Sequence, residues 1–318
     1  MTPAANPPSF VRPQLCTLVS EPPSGNAWLH EAKFDGYRIL CRVASGRATL
    51  WSRNEKDWTA SFQGIASEAA RLGARTALLD GEVVVVLRNG LTSFNALQNA
   101  LSGRAEGELA YYAFDLLHQD GRDLRPEPLD VRRAALRALL RTRATARVRL
   151  SALLEGDGRE VFAAACRRGL EGIVSKRRDA RYRSGRGDAW VKTKCHREQE
   201  FVIGGFTEPE GTRPGIGALL LGVYGKDGAL AFAGKVGTGF SNAAARALRK
   251  RLDALKRAES PFTPRPRGLP DARFVEPRLV GVVRFTEWTA DGRLRHPSFQ
   301  GLREDKAPRD VVRERERA

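Results

Sequence analysis

The stretch Glu31-Ala32-Lys33-Phe34-Asp35-Gly36-Tyr37-Arg38 sets a lysine between two acids, each two residues away, then adds a glycine and an arginine. At a strand end, alternation puts Glu31, Lys33 and Asp35 on one face. A divalent cation held with the help of these acids would favour the unprotonated amine. The arginine could grip a phosphate, and the glycine allows close backbone approach. The stretch reads as a nucleophilic lysine attacking phosphorus. Its plain alternative is a surface strand of alternating charge, and on its own the stretch leaves both open.

Lysine usage sharpens the reading. Of 54 basic residues only ten are lysine: Lys33, Lys56, Lys176, Lys192, Lys194, Lys226, Lys235, Lys250, Lys256 and Lys306. A chain that uses arginine wherever a plain cation suffices keeps lysine where an amine is needed, because an amine can lose its proton and attack. Lys250 and Lys256, on an expected surface helix, are accidental survivors; Lys33, Lys176, Lys192 and Lys194 are the candidates. Further along, Asp80-Gly81-Glu82 interrupts an apolar strand, where acids are expensive unless they hold a metal or a hydroxyl. Glu171 to Lys176 brackets a short apolar strand with an acid and an amine. Trp190-Val191-Lys192-Thr193-Lys194 projects two lysines to one face, an arrangement that suits an anion between them. Asp35, Glu82 and Glu171 could supply oxygen ligands to magnesium. No phosphate-binding G-x-x-x-x-G-K-[ST] loop and no G-x-S-x-G elbow is present.

The 318 residues suggest about two domains. Net charge is +17 with pI near 10.4, which favours a polyanionic partner through counterion release. No apolar run approaches the roughly 18 residues of a membrane span, and the first residues carry neither a basic nor an apolar signal region. Cys16, Cys41, Cys166 and Cys195 are scattered without a C-x-x-C pair. That argues against a disulfide framework and against a cysteine-rich zinc site, and suits a reducing cytoplasm. The four histidines stand separately and are expected to be structural or superficial.

Residues 1–25 carry six prolines and read as an extended arm. Residues 26–195 read as strands alternating with helices. A hairpin is expected around Ala44-Ser45-Gly46, helices over Ser61–Leu72 and Val131–Leu140 (capped by Asp130), and strands over Ala77–Leu87 and Leu109–Leu117. The arginines of the second helix are expected mostly off its Leu136/Leu139/Leu140 side. Residues 196–318 carry strands at Glu200–Phe206, Ala218–Tyr224, Ala229–Val236 and Val280–Trp288 with one helix, Asn242–Arg257. Several short strands with one helix in a basic segment suggest an OB-fold barrel.

Lys33-Phe34-Asp35-Gly36-Tyr37-Arg38 resembles the K-x-D-G-x-R signature of covalent nucleotidyltransferases, the superfamily of ATP-dependent DNA ligases, RNA ligases and capping enzymes. The resemblance continues in order through Ser52-Arg53-Asn54, Asp80-Gly81-Glu82, Tyr112-Ala113-Phe114-Asp115, Glu171 to Lys176, Trp190 to Lys194 and Arg303-Glu304-Asp305-Lys306. Phe94 to Asn99, Tyr182 to Arg186, and Glu287-Trp288-Thr289 through Leu302 look like the ligase domain of bacterial ligase D, the enzyme of nonhomologous end joining. The chain has no segment long enough for that enzyme's polymerase or phosphoesterase modules, so it is expected to stand alone or to be part of a longer polypeptide.

The resemblance implies an α+β architecture: an ATP-grasp-like nucleotidyltransferase (adenylation) domain followed by a C-terminal OB-fold β-barrel. It implies ATP as donor, Mg2+ or Mn2+, and a lysyl-AMP on Lys33. Phe114 would stack on adenine, Glu82 would hold the ribose, and Asp35, Glu82 and Glu171 would serve the metal. Glu31, Arg38 and Lys176 would join the nucleotide site, while Lys192 and Lys194 would stabilise charge on the α-phosphate. Arg303, Asp305 and Lys306 would orient pyrophosphate. Arg53 would meet the DNA 5′-phosphate, and the loop arginines Arg177, Arg178, Arg181, Arg183 and Arg186 the DNA backbone. Implied partners are nicked or broken duplex DNA, a Ku-like end-binding protein and a repair polymerase, with no membrane. A monomer in the cytoplasm, at the bacterial nucleoid, is expected. An RNA ligase or capping-type enzyme, or a non-catalytic OB-fold single-strand binder, are the alternatives.

Overall fold

A computed structural model describes residues 7–101, 103, 107–141, 146–209 and 215–314. The chain divides between Cys195 and His196 into two units. The first unit runs β1 (Gln14–Leu18), β2 (Trp28–Ala32), β3 (Tyr37–Ala44), β4 (Arg47–Ser52), α1 (Gln63–Ala69), β5 (Thr76–Val86), α2 (Phe94–Leu101) and β6 (Glu108–Gln119). It continues with β7 (Arg122–Asp123), α3 (Leu129–Arg141), β8 (Val148–Leu150), β9 (Leu153–Leu154), α4 (Gly158–Arg167), β10 (Gly172–Arg177) and β11 (Gly185–Lys194).

These strands form two sheets, ordered β1-β11-β10-β2-β9 and β4-β3-β5-β6-β7, with β8 added alongside β6. Pairing is antiparallel apart from β1 with β11 and β6 with β8. The β3–β4 hairpin turns at Ser45 and Gly46, both with positive φ, which matches the right-handed twist of its strands. Gly36 precedes β3 because a Cβ there would fall 2.1 Å from the Val83 carbonyl oxygen of β5.

Within the arm, Val11 is buried beside Leu40, Phe114, Tyr182 and Trp190, and β1 extends a sheet. Two expectations for this unit change. Asp130 lies within the first turn of α3 rather than capping it, and pairs with Arg178. Arg132 and Arg133 of α3 point inward, at 0% and 4% exposure, because buried carboxylates wait for them.

The second unit comprises β12 (Arg197–Thr207), β13 (Leu219–Tyr224), β14 (Leu230–Val236), α5 (Asn242–Asp253), β15 (Lys256–Arg257), β16 (Ala272–Phe285), β17 (Glu287–Trp288), β18 (Leu294–Arg295) and β19 (Ser298–Arg303). Its main sheet runs β14-β13-β12-β16-β15 with β19 on β16, all antiparallel. Phe201, Ile203, Leu219, Leu221, Val236, Leu248, Leu252 and Val283 fill its core. The helix stops at Asp253, four residues earlier than its pattern predicts, since Lys256 and Arg257 pair with β16. Among the described residues no helix is long and apolar enough to cross a membrane.

His30 and His118 are both 4% exposed, and His30 shares a 2.8 Å hydrogen bond with the Ser175 hydroxyl. Burial lowers both pKa values below the ordinary 6.5. The folded state therefore binds fewer protons, and their stability contribution, full above pH 6.5, is lost as pH falls from there toward the folded values. Melting temperature is expected to drop as pH falls below about 6.5, with a shallower drop in His30→Gln and His118→Gln. Melting curves superimposable with wild type in slope against pH would refute the assignment.

Candidate active site

Lys33 sits just past β2, and its backbone N–H donates to the Gly172 carbonyl at 3.0 Å. Gly172 pairs in register with Lys194, and Val174 pairs with Glu31 on one side and Lys192 on the other. Cross-strand partners share a face, so Glu31, Lys33, Lys192 and Lys194 occupy one side of the sheet, as alternation predicts. Between Lys33 and Lys194 stands a residue without a side chain. A Cβ on Gly172 would lie 2.1 Å from the Thr193 carbonyl oxygen.

The Lys33 ammonium donates to Glu171, whose side chain is 8% exposed. The second Glu171 oxygen, Oε2, is shielded and has no hydrogen-bond partner among the described residues. A ligand oxygen of Asp35 lies within 4.8 Å of one on Glu171. Asp35 also secures the start of a helix, since its Oδ2 accepts from the N–H of Phe94, the first residue of α2, at 3.1 Å. A buried orphan oxygen beside a second carboxylate is a donor set that fits a hard divalent cation.

Glu31 is 2% exposed and fully engaged. Its Oε1 accepts from Arg133 at 2.7 Å and from Lys176 at 3.0 Å, and its Oε2 from the Ser151 hydroxyl at 2.6 Å. Burial holds the Lys176 amine below the ordinary lysine value, with the Glu31 charge opposing that shift. The Lys176 ammonium lies 4.3 Å from the ring centroids of both Phe114 and Trp190. Arg38 covers Phe114 as well, at 4.5 Å. Phe114 is thus a wall residue, 7% exposed.

The acids that interrupt the apolar strands are clamped by arginines. Asp80 and Asp115, opposite each other on β5 and β6, are both fully buried. Arg38 grips Asp80 in bidentate fashion at 2.5 and 2.6 Å, and the Tyr182 hydroxyl adds a third bond at 2.6 Å. Burial alone would lower the Arg38 pKa, but Asp80 overrides it and raises the value further. Arg132 grips Asp115 with two bonds of 2.8 Å. Arg38, expected to grip a phosphate, is therefore already committed to a carboxylate.

Pattern reading passed over Tyr112. It pairs with Glu82 across β5 and β6, and its ring stacks on Phe34, the residue after Lys33, at 4.5 Å. The β-bulge between Asp80 and Gly81 sets that register, and the glycine inside the apolar strand is its local mark. Arg133, Ser151 and Tyr182 were missed too, each being reached only through the tertiary fold.

Arg53 is half-buried at the end of the β3–β4 hairpin. The loop arginines Arg177, Arg178, Arg181, Arg183 and Arg186 are all exposed. Arg177 pairs with Asp179 at 2.8 Å, Arg178 with Asp130 at 3.0 Å, and Arg186 donates to the Cys16 carbonyl. In the second unit Arg303 chelates Asp305 at 2.8 and 3.2 Å, and Lys306 donates to Glu200 at 3.2 Å. The cysteines form no framework, but one pair does join: Cys166, in the last turn of α4, is disulfide-bonded to Cys195 just after β11, while Cys16 and Cys41 are free thiols. The fold brings together two residues 29 positions apart, which spacing alone could not show.

Two family models match. Residues 13–194 match the ATP dependent DNA ligase domain and residues 212–306 the ATP dependent DNA ligase C terminal region. The chain is 44% identical over 313 residues to the multifunctional non-homologous end joining protein LigD of Pseudomonas aeruginosa, covering 97% of this chain and 37% of that protein. It is 44% identical over 292 residues to LigD of Mycobacterium tuberculosis, again 37% of the relative. The chain thus spans little more than a third of the curated relatives it matches. A solved structure of mycobacterial DNA ligase D complexed with ATP and MES superposes with TM-score 0.71 at 40% identity, covering 95% of this chain and 98% of that one. The ligase domain of Mycobacterium tuberculosis LigD superposes with TM-score 0.53 at 41% identity. The two units are accordingly a nucleotidyltransferase domain and an OB-fold domain, and the chain belongs to the family of ATP-dependent DNA ligases.

Proposed function

We propose that this chain is the strand-sealing module of a bacterial double-strand-break repair system working by nonhomologous end joining. The observation that carries the reading is the sheet face on which Lys33 meets Glu171 and shares its row and its neighbour with Lys194 and Lys192. The Lys33 amine attacks the α-phosphorus of ATP; an N–P bond forms and the P–O bond to pyrophosphate breaks. AMP then passes to a DNA 5′-phosphate, and the neighbouring 3′-hydroxyl displaces it. Lys192 and Lys194 stabilise negative charge developing on the α-phosphate.

Glu171 and Asp35, with Glu82, hold Mg2+ or Mn2+, which supplies Lewis-acid polarisation of the phosphate and favours the unprotonated amine. Glu82 meets the ribose. Half-buried Tyr112 beside it meets the base in place of Phe114, whose ring is enclosed. Glu31 and Lys176 support that pocket from beneath, and Arg38 supports it through Asp80. Arg303, Asp305 and Lys306 serve pyrophosphate. Arg53 and the exposed arginines of residues 177–186 contact phosphates of broken or nicked duplex DNA without reading sequence. A Ku-like end-binding protein and a repair polymerase supply the ends.

The test is incubation of AMP-free protein with α-labelled ATP or GTP and magnesium, followed by nicked DNA and nicked RNA duplexes. Label from ATP and sealing of the DNA nick are expected. Label from GTP alone would replace this reading with capping-type transfer, sealing confined to RNA with an RNA ligase, and no label at all with a binding module.

A further inference from the structure

We infer that Cys166 and Cys195 form a reversible thiol–disulfide site, reacting with dithiols, whose state sets how firmly Glu171 is held beside Lys33. The inference rests on the ligase reading for its functional consequence. Cys166 closes α4, and residues 167–170 lead from it directly to Glu171. Cys195 follows Lys194, and its backbone N–H donates to the Glu171 carbonyl at 2.9 Å. The disulfide therefore fastens both sides of the segment that presents the Glu171 carboxylate to the Lys33 ammonium.

The start of α4 is tied by Asp157, which caps it and accepts from Ser24, and by Arg159, which pairs with Glu21 at 2.6 Å; its C-terminal end, where Cys166 lies, has less to hold it. Its apolar attachment consists of Val161 and Ala165 against Ile173, with Leu154, Phe162 and Leu170 partly covering them. A short helix on so small a cluster depends on added constraints more than one docked on a full core. The turn that follows is exposed at Arg167, Arg168 and Gly169, and Gly169 has a φ of 76°. Both bonded cysteines are themselves partly exposed. Cys41, by contrast, is fully buried, and burial pushes its thiol up to about 12, which keeps it inert.

The chemistry balances as ordinary exchange. A dithiol attacks one sulfur, the Cys166–Cys195 bond breaks, and two S–H bonds form on the protein. The dithiol becomes its own disulfide, so two electrons and two protons pass to the protein. With the staple open, the Arg167–Leu170 turn gains freedom and Glu171 spends less time against Lys33. Misplacement of that kind lowers the rate of the first chemical step.

The experiment uses the whole chain, oxidised with glutathione disulfide or reduced with dithiothreitol. Thiol titration in denaturant is expected to find two thiols, Cys16 and Cys41, in the oxidised chain and all four in the reduced one. Lysyl-AMP formation is expected to slow roughly three- to tenfold on reduction and to recover on reoxidation. C166S and C195S should both run at the reduced rate whatever the treatment, whereas C16S should respond like wild type. Exchange of the Cys195 amide hydrogen should quicken in the reduced chain. Four thiols after oxidation, or equal adenylation rates and equal amide exchange in the two states, would overturn the site. If neither state takes label, the ligase reading fails by itself, while thiol count and amide exchange still decide whether the staple exists and what it holds.

Discussion

Lys33→Ala is expected to lose lysyl-AMP formation by a factor on the order of 10^4 or more, because the attacking atom is gone and no nearby group can replace it. Lys192 and Lys194 share the face but sit on β11, a strand further from Glu171, across Val174 and Gly172. Lys176 is an amine too, with a lowered pKa, yet it is 2% exposed and fixed between Glu31 and two aromatic rings. Lys33→Arg should fail as badly as alanine. A guanidinium keeps the charge opposite Glu171 but does not deprotonate near neutral pH, so it cannot supply an electron pair. The discriminating measurement uses nicked DNA already carrying AMP on its 5′-phosphate. That substrate bypasses the lysine, so Lys33→Ala should seal it at a rate within about tenfold of wild type. Equal failure on both substrates would show that Lys33 holds the site together instead of attacking. Label retained by Lys33→Arg would move the nucleophile elsewhere.

Reading Glu31 to Arg38 by alternation placed Lys33 and Glu31 on one face, and the register with β10 agrees. Alternation is a local property, so one strand suffices to read it. What alternation lacks is depth. Glu31 looked like a ligand and is a buried hub for Arg133, Lys176 and Ser151, residues up to 145 positions away. Arg132 and Arg133 belong to a helix whose arginines were expected mostly off its Leu136/Leu139/Leu140 side. They are buried because Asp115 and Glu31 need counter-charges, a demand that originates in other elements. The strand β16 was expected only from Val280, since Pro277 and its charged neighbours break the apolar pattern. Pro277 sits where the pairing with β12 skips from Leu279 to Phe274, a bulge that spares it the ladder bond it cannot make. The disulfide was hidden for the same reason as the arginines: α4 ends beside the end of β11 only in the folded chain.

Arg132→Met should destabilise the first unit by about 3–5 kcal/mol, the usual cost of leaving one partner of a buried ion pair alone. Arg132 and Asp115 are both fully buried, so water cannot replace the lost guanidinium. The arginine makes four bonds in all, two to Asp115 and one each to the Glu127 and Ala180 carbonyls at 2.7 and 2.9 Å. Methionine matches the length of the stem but satisfies none of these acceptors. The Asp80 carboxylate, directly opposite on β5, makes the consequence worse. Wild type sets two buried acids against two guanidiniums, the partly buried Arg38 on Asp80 and the fully buried Arg132 on Asp115. Removing Arg132 strips Asp115 of its ion-pair partner next to Asp80, so the Arg38–Asp80–Tyr182 cluster is strained as well. For a domain of this size the loss corresponds to a melting temperature lower by roughly 10 °C. Adding Asp115→Asn to Arg132→Met removes the uncompensated charge at almost constant volume, and should restore at least about half of the lost stability. Arg132→Met costing less than about 1 kcal/mol in urea unfolding would show that the pair is not a structural clamp. A double variant no more stable than Arg132→Met would assign the cost to the orphaned carbonyls of Glu127 and Ala180 instead of to the buried charge.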